Sequence, residues 1–299
     1  MKRTGYQGEF AAAVEAAAST GGQIMPPIMG AAAFLMAEYT GYQYAKIALL
    51  AILPAVLYFA GIFIAVHLEA KKLGLKGIPK DQLPKIKDLL PKIYLLLPLV
   101  VLVWLVSSGK RTMQTSATIA ILVTIVVGII TNIVNSVTKN PDKSDNITVE
   151  KFFDALEAGA KGTISVAAAC SMAGLVAGCI TTTGLASKLI TAIVRVSGGQ
   201  AIIALFLTMI CCIVLGMGVP TTANYCIMAA TCAPILMSDQ LGIKMICAHF
   251  FVFYFGIVAD ITPPVALAAY AGSAIAKSDP LKTGVNATKL AIAAFIIPY

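Results

Sequence analysis

The sequence predicts an all-α, polytopic transmembrane protein with broken helices, inverted repeats and a re-entrant hairpin. Three observations predict it: too little charge for a water-facing surface, apolar runs long enough to cross a bilayer, and Gly/Pro breaks inside those runs. Of 299 residues, 59% are hydrophobic and 12% charged, with a mean hydropathy of +0.87. An ordinary soluble domain carries about 25% charged residues. A hydrocarbon core of about 30 Å needs roughly 20 apolar residues per helical crossing. Residues 47–66, 112–138 and 162–187 each contain no Asp, Glu, Lys or Arg. The uncharged run 196–238 would extend about 65 Å as one helix, so it must fold back or cross twice.

Taken in order, a helix is predicted over 9–38, broken at 21–27, followed by a span at 44–67. Segment 69–92 is rich in lysine, with Pro79, Pro84 and Pro91 limiting helix. Its basic excess places it in the cytoplasm by the positive-inside rule. Spans near 93–109 and 112–138 come next, then a polar loop at 139–146. An amphipathic approach bearing Phe152, Phe153 and Leu156 leads into a Gly/Ala-rich span at 162–183, where small residues allow close helix packing. A hairpin over 197–238 breaks at Gly216-Met217-Gly218-Val219-Pro220, and a second broken helix over 241–276 is interrupted at 260–264. The resulting division is 1–68 as part of a first repeat, 69–92 as the loop, 93–138 as two crossings, and 139–299 as a second repeat.

The repeat rests on Ile24-Met25-Pro26-Pro27-Ile28-Met29-Gly30-Ala31-Ala32 against Ile261-Thr262-Pro263-Pro264-Val265-Ala266-Leu267-Ala268-Ala269, offset by 237 residues. Counting crossings from a cytoplasmic 69–92 loop runs the first broken helix outward and the second inward, which makes the repeats inverted; the same count puts Lys110 and Arg111 outside, against the charge rule. Inverted repeats with discontinuous helices are a recurring transporter design, because unwound backbone and helix ends bind ions and anionic groups away from water. The offset also places the partner of the Gly216 hairpin upstream of Met1, and the apolar stretch 290–299 is too short to cross. Both lead to the expectation of a fragment of a longer transporter, or of a chain completed by another polypeptide.

Other function classes fit poorly. The net charge of +8 resides in loops beside apolar spans, which argues against nucleic acid. Seven cysteines show no metal or redox spacing and read as small buried hydrophobes. Glu9 and Glu15 interrupt the region where a cleavable leader would need its apolar core. No phosphate loop, dinucleotide fingerprint, His-Glu-x-x-His or Gly-x-Ser-x-Gly stretch is present, so neither ATP-driven transport nor membrane hydrolysis is expected, and the chain is not read as an enzyme.

Asp260, a carboxylate between Ala259 and Ile261, is costly in an apolar helix unless it faces a cavity or a partner. It reads either as a cation or proton ligand or as an interfacial helix-end cap. Gly216, Gly218, Pro220, Thr221, Thr222 and Asn224 combine a flexible break with hydroxyl and amide oxygens, hard ligands suited to Na⁺ or to a substrate carboxylate. Their bland alternative is a plain turn. Thr262 and Pro263 belong to the second break, while Gly21, Gly22 and Gln23 form the matching break in the first repeat, where a simple kink is the alternative. Na⁺ coordination is expected at Gly216, Thr221 and Asp260. His67 and His249 lie too far apart in sequence to argue a site.

The stretches Ala17-Ala18-Ser19-Thr20-Gly21-Gly22-Gln23-Ile24-Met25-Pro26-Pro27-Ile28-Met29-Gly30-Ala31-Ala32-Ala33-Phe34, Gly216-Met217-Gly218-Val219-Pro220-Thr221-Thr222-Ala223-Asn224-Tyr225 and Ala259-Asp260-Ile261-Thr262-Pro263-Pro264-Val265-Ala266 resemble, in the same order, the large membrane domain of tripartite ATP-independent periplasmic (TRAP) transporters. The resemblance is strongest to the fused permeases that work with TAXI-type binding proteins, and it runs through essentially all 299 residues. It implies the C-terminal portion of a multi-pass permease of a bacterial inner membrane. Such a permease imports a small organic acid (a dicarboxylate, glutamate or 2-oxoglutarate) delivered by a periplasmic binding protein. It also implies sodium coupling, an elevator-like movement, and a small membrane subunit or fused N-terminal segment as partner. Carried onto this chain, Gly216 to Asn224 resemble the tip of the second re-entrant hairpin and Asp260 to Pro264 the broken helix facing it. Family members have a first Gly/Ser/Asn-rich hairpin before a stretch like Met1-Lys2-Arg3-Thr4-Gly5-Tyr6, which this sequence does not contain. Another ion-coupled anion carrier, or a truncated non-transporting membrane fragment, are the competing readings.

Overall fold

The computed structural model describes residues 1–27, 29–75, 90–108, 111–137 and 146–299. Most of the predicted cytoplasmic lysine-rich loop, Lys110, and nearly all of the 139–146 loop therefore lie outside the described residues. Among the described residues regular structure is helical throughout, with no strand. The α-helices are α1 (Gly8–Gly21), α2 (Ala31–Thr40), α3 (Tyr44–Lys72), α4 (Leu97–Ser108), α5 (Met113–Val137), α6 (Val149–Thr182), α7 (Leu185–Ser197), α8 (Ala201–Gly216), α9 (Thr221–Thr231), α10 (Ala233–Leu236), α11 (Met245–Val258), α12 (Leu267–Ala276) and α13 (Pro280–Leu290).

Two of them are long and apolar enough to cross a membrane: α3, and Gln114–Val137 within α5. Each buries one face and turns much of its apolar surface outward. Leu53 is 68% exposed and Phe63 74%, the opposite of what a core helix of a soluble protein shows. Outside α3 and α5, α6 is continuous where the sequence suggested a separate approach and span. Its 34 residues extend about 51 Å, more than one bilayer thickness. The predicted span 93–109 begins as a 3₁₀ stretch, Leu90–Leu96, before α4.

The chain divides into two compact units. One comprises Met1–Tyr42, Lys46–Gly77 and Ala167–Tyr299; the other comprises Gln43–Ala45 and Ile78–Val166. In the second unit α4 packs on α5. Tyr94 and Thr131 share a hydroxyl hydrogen bond of 3.0 Å, and Asn132 both donates to Ile147 O at 2.6 Å and accepts from Ile147 N at 2.9 Å.

The first unit contains both broken helices. α1 ends at the Gly21-Gly22 pair, and α2 starts after Gly30 and stops at Gly41, whose left-handed φ of 70° closes the helix. The second break follows α11 through a 3₁₀ turn, Ala259–Ile261, and resumes at α12 after Ala266. Both Pro-Pro bonds, Pro26-Pro27 and Pro263-Pro264, are cis. Alanines on α1 (Ala12, Ala13, Ala16 and Ala17) are buried, and α1 packs along α12 and α13. A Cβ on Gly272 would lie 3.2 Å from Ala12 O, while one on Gly8 would lie 3.4 Å from Ser278 Cβ, so α1 and α12 run antiparallel. Lys2 Nζ donates to Ala276 O at 2.6 Å at the same end. The helix α13 had no counterpart in the sequence reading.

Candidate functional site

The candidate site lies in the first unit, where the turn between α8 and α9 meets the second break. α8 ends because Gly216 and Gly218 interrupt it, and Gly218 takes a φ of +76° that a side chain would strain. Pro220 then presets the entry to α9, whose first residue is Thr221. The N-terminus of α9 leaves backbone N–H groups without helical partners and carries the positive end of the helix dipole. Asp260 sits opposite: Thr221 Oγ1 donates to Asp260 Oδ2 at 3.4 Å. A carboxylate is favourable at a helix N-terminus, which accounts for its tolerance in this apolar setting.

Asn224, one turn into α9, is fully buried. Its Nδ2 donates to Gly256 O at 2.9 Å, which fixes the amide orientation, and its Oδ1 is buried without a partner among the described residues. An unpaired buried acceptor costs about 1–3 kcal/mol. The backbone of α8 is pressed against this amide. A Cβ on Gly216 would stand 2.6 Å from Asn224 Nδ2 and 2.8 Å from Ala259 Cβ, and one on Gly256 would stand 3.3 Å from the same Nδ2. Gly216, Thr221, Asn224 and Asp260, drawn from three elements, thus share one locus.

The other predicted residues take different places. A Cβ on Gly218 would lie 3.7 Å from Val265, so the tip borders the turn after Pro263-Pro264. Thr262 Oγ1 turns back to Val258 O at 2.7 Å, and Pro263 packs near Gly284 of α13. Pro220 and Thr222 flank the start of α9, Pro220 exposed and Thr222 half-buried. Of the first break, Gly21 is pressed against the Tyr58 ring, where a Cβ would overlap at 2.2 Å, and Gln23 O accepts from Gly30 N at 3.1 Å. Gly22 is exposed at the end of α1. The connection between the two breaks is α1 itself, which packs on the Ala259–Ile261 turn.

Three groups escaped the sequence reading. His249 Nδ1 is hydrogen-bonded to Tyr225 Oη at 2.8 Å, and the Tyr225 ring stacks on Tyr39 with centroids 6.1 Å apart. Tyr58 Oη donates to Ala17 O at 2.8 Å, tying α3 to the last turn of α1. Thr288 of α13 donates to Ile261 O at 3.0 Å inside the second break. No motif marks these pairs, because each joins residues 24 or more apart by tertiary packing.

No cluster of His, Cys, Asp or Glu fit for a metal centre occurs among the described residues. Compared with protein families, the sequence matches the model of the tripartite ATP-independent periplasmic transporter, DctM component, over residues 1–299. The chain belongs to the DctM family. A comparison with curated proteins gave no match. DctM is the large permease component of a TRAP transporter, a non-enzymatic integral membrane protein. TRAP transport is ion-coupled, and DctM works with a periplasmic binding protein and a DctQ subunit. For this DctM chain, the exposed apolar faces of α3 and α5 are accordingly surfaces for a lipid bilayer.

Proposed function

We propose that this DctM chain imports a small organic acid of the dicarboxylate, glutamate or 2-oxoglutarate class across a bacterial inner membrane, coupled to Na⁺, with the ion held at Asp260, Thr221 and Asn224 beside Gly216. The observation that carries the reading is the orphaned Oδ1 of fully buried Asn224, next to a carboxylate–hydroxyl pair. These oxygens fit a hard monovalent cation better than a soft metal. A bound cation would neutralise Asp260 and leave the free N–H groups at the start of α9, with Thr222, to accept a substrate carboxylate. In this reading the α8–α9 turn is the tip of a re-entrant hairpin. The 24–32 and 261–269 segments are halves of an inverted repeat, supported by their sequence match. The resemblance of the three motif stretches further supports a TAXI-type binding protein as the donor of solute.

The test is uptake of labelled carboxylates into liposomes under a sodium gradient, with saturating TAXI-type binding protein. The chain is compared with an upstream-extended version, and Asp260→Asn is made in the extended version. Sodium-driven uptake that disappears in Asp260→Asn is the expected outcome. Uptake that ignores the binding protein would favour a different ion-coupled anion carrier, and an extended version inactive across solutes would overturn the transport reading.

A further inference from the structure

Away from the ion locus, α3 and α11 enclose an apolar cavity of about 300 Å³ lined by Leu50, Leu53 and Leu57 of α3, Cys247 and Phe250 of α11, and residues 297–298. Its α3 wall is open to the surroundings, with Leu50 46% and Leu57 45% exposed. The two helices run parallel and in register. The Tyr58 and Tyr254 rings touch edge to face, with centroids 6.2 Å apart, and eight residues earlier on each helix Leu50 and Ile246 line the same cavity. The helix N-termini therefore lie at the same end. From there the cavity runs about 10–12 Å along the helices, most of one leaflet of a bilayer with a core about 30 Å thick.

A lysine stands at that end on each helix. Lys46 precedes Leu50 by one turn on the same stripe as Leu53 and Leu57, and Lys244 caps α11 three residues before Cys247. Both are exposed, and neither takes part in an ion pair among the described residues. Lys46 Nζ lies 4.6 Å from the centroid of the Tyr42 ring, and aromatic residues are enriched at membrane interfaces. The arrangement is a greasy slot with a cationic mouth.

We propose that the slot holds one acyl chain of an anionic glycerophospholipid, with its phosphate between Lys46 and Lys244. The apolar walls accept the chain in place of bulk lipid. Each basic residue near an anionic headgroup contributes about fivefold in affinity. The lipid then acts as a splint between α3 and α11, the helix that leads to Asp260. The site is independent of the ion and of the transported acid.

Cys247 supplies the probe, since it is an exposed thiol in the slot wall, while exposed Cys179 on α6 serves as the internal reference. The full chain is placed in nanodiscs of phosphatidylcholine with or without phosphatidylglycerol, and alkylation by an apolar maleimide is followed peptide by peptide. Phosphatidylglycerol should slow Cys247 about fivefold or more relative to Cys179, and K46Q/K244Q should abolish the difference. Because the double variant could perturb the helix ends, phosphatidylglycerol retained per chain is also counted by mass spectrometry after detergent washing. Wild type should keep one molecule, and Leu53→Trp, which fills the slot, none. Equal labelling in the two lipids, a lipid effect that survives K46Q/K244Q, undiminished lipid in Leu53→Trp, or crosslinking of Cys247 to a polypeptide would overturn the proposal.

Discussion

Replacing Gly216 with alanine puts a methyl group where α8, α9 and the second break converge. The new Cβ would meet Asn224 Nδ2 at 2.6 Å, Ala259 Cβ at 2.8 Å and Met228 Cε at 3.1 Å. The methionine tip can yield, but Ala259 is buried backbone-proximal carbon, so Asn224 must move and loosen its 2.9 Å bond to Gly256 O. Overpacking costs about 1–3 kcal/mol, and a buried amide left without its carbonyl about 1–3 kcal/mol more. Alanine returns up to about 1 kcal/mol in helix propensity, leaving a net loss of about 1–5 kcal/mol. If about 2 kcal/mol of that falls on the ion-bound state, half-saturating sodium rises roughly thirtyfold. Thermal unfolding in detergent and the sodium dependence of uptake are the two assays, with Gly174→Ala as control. A Cβ on Gly174 would meet nothing within 4 Å, so that variant should be neutral or slightly stabilised. Unchanged unfolding and unchanged sodium activation in Gly216→Ala would refute the packing argument.

Two further substitutions test the remainder of the structure. Tyr58→Phe removes the bond to Ala17 O while keeping the ring against Gly21, and it should lower stability by about 0.5–1.5 kcal/mol, read as a shift in thermal unfolding. Asn132→Ala removes both hydrogen bonds to the Ile147 backbone in the second unit and should cost about 1–3 kcal/mol without altering sodium dependence; a change in sodium dependence would contradict the separation of the two roles.

The positions of the helix breaks were legible in the sequence because Gly and Pro act locally: the Gly21-to-Pro27, Gly216-to-Pro220 and Asp260-to-Pro264 interruptions all appear where residue chemistry puts them. Helix lengths were less legible. The amphipathic approach at Phe152 to Leu156 and the span at 162–183 form one continuous helix, α6, and α13 hides behind a polar face bearing Lys282 and Lys289. At the candidate site, polar residues inside an uncharged run pointed to Thr221 and Asn224, and a carboxylate in an apolar helix pointed to Asp260; Gly216, Thr221 and Asp260 were grouped as one expected ion site, without Asn224. Their convergence depends on Gly216 and Gly256 letting three backbones approach, and on an Asn224–Gly256 bond across 32 residues. The Tyr225–His249 pair had no signal at all, since a lone histidine in an apolar helix looks the same with or without a partner.

The central claim, a sodium site at Asp260, Thr221 and Asn224, is tested most directly by thermal unfolding of the purified chain in sodium against potassium at equal ionic strength. A sodium concentration one hundred times the dissociation constant stabilises by about 2.7 kcal/mol, so the unfolding temperature should be higher in sodium, and the difference should vanish in Asp260→Asn and Asn224→Ala. Equal unfolding temperatures in the two salts, or a sodium effect that persists in both variants, would contradict it.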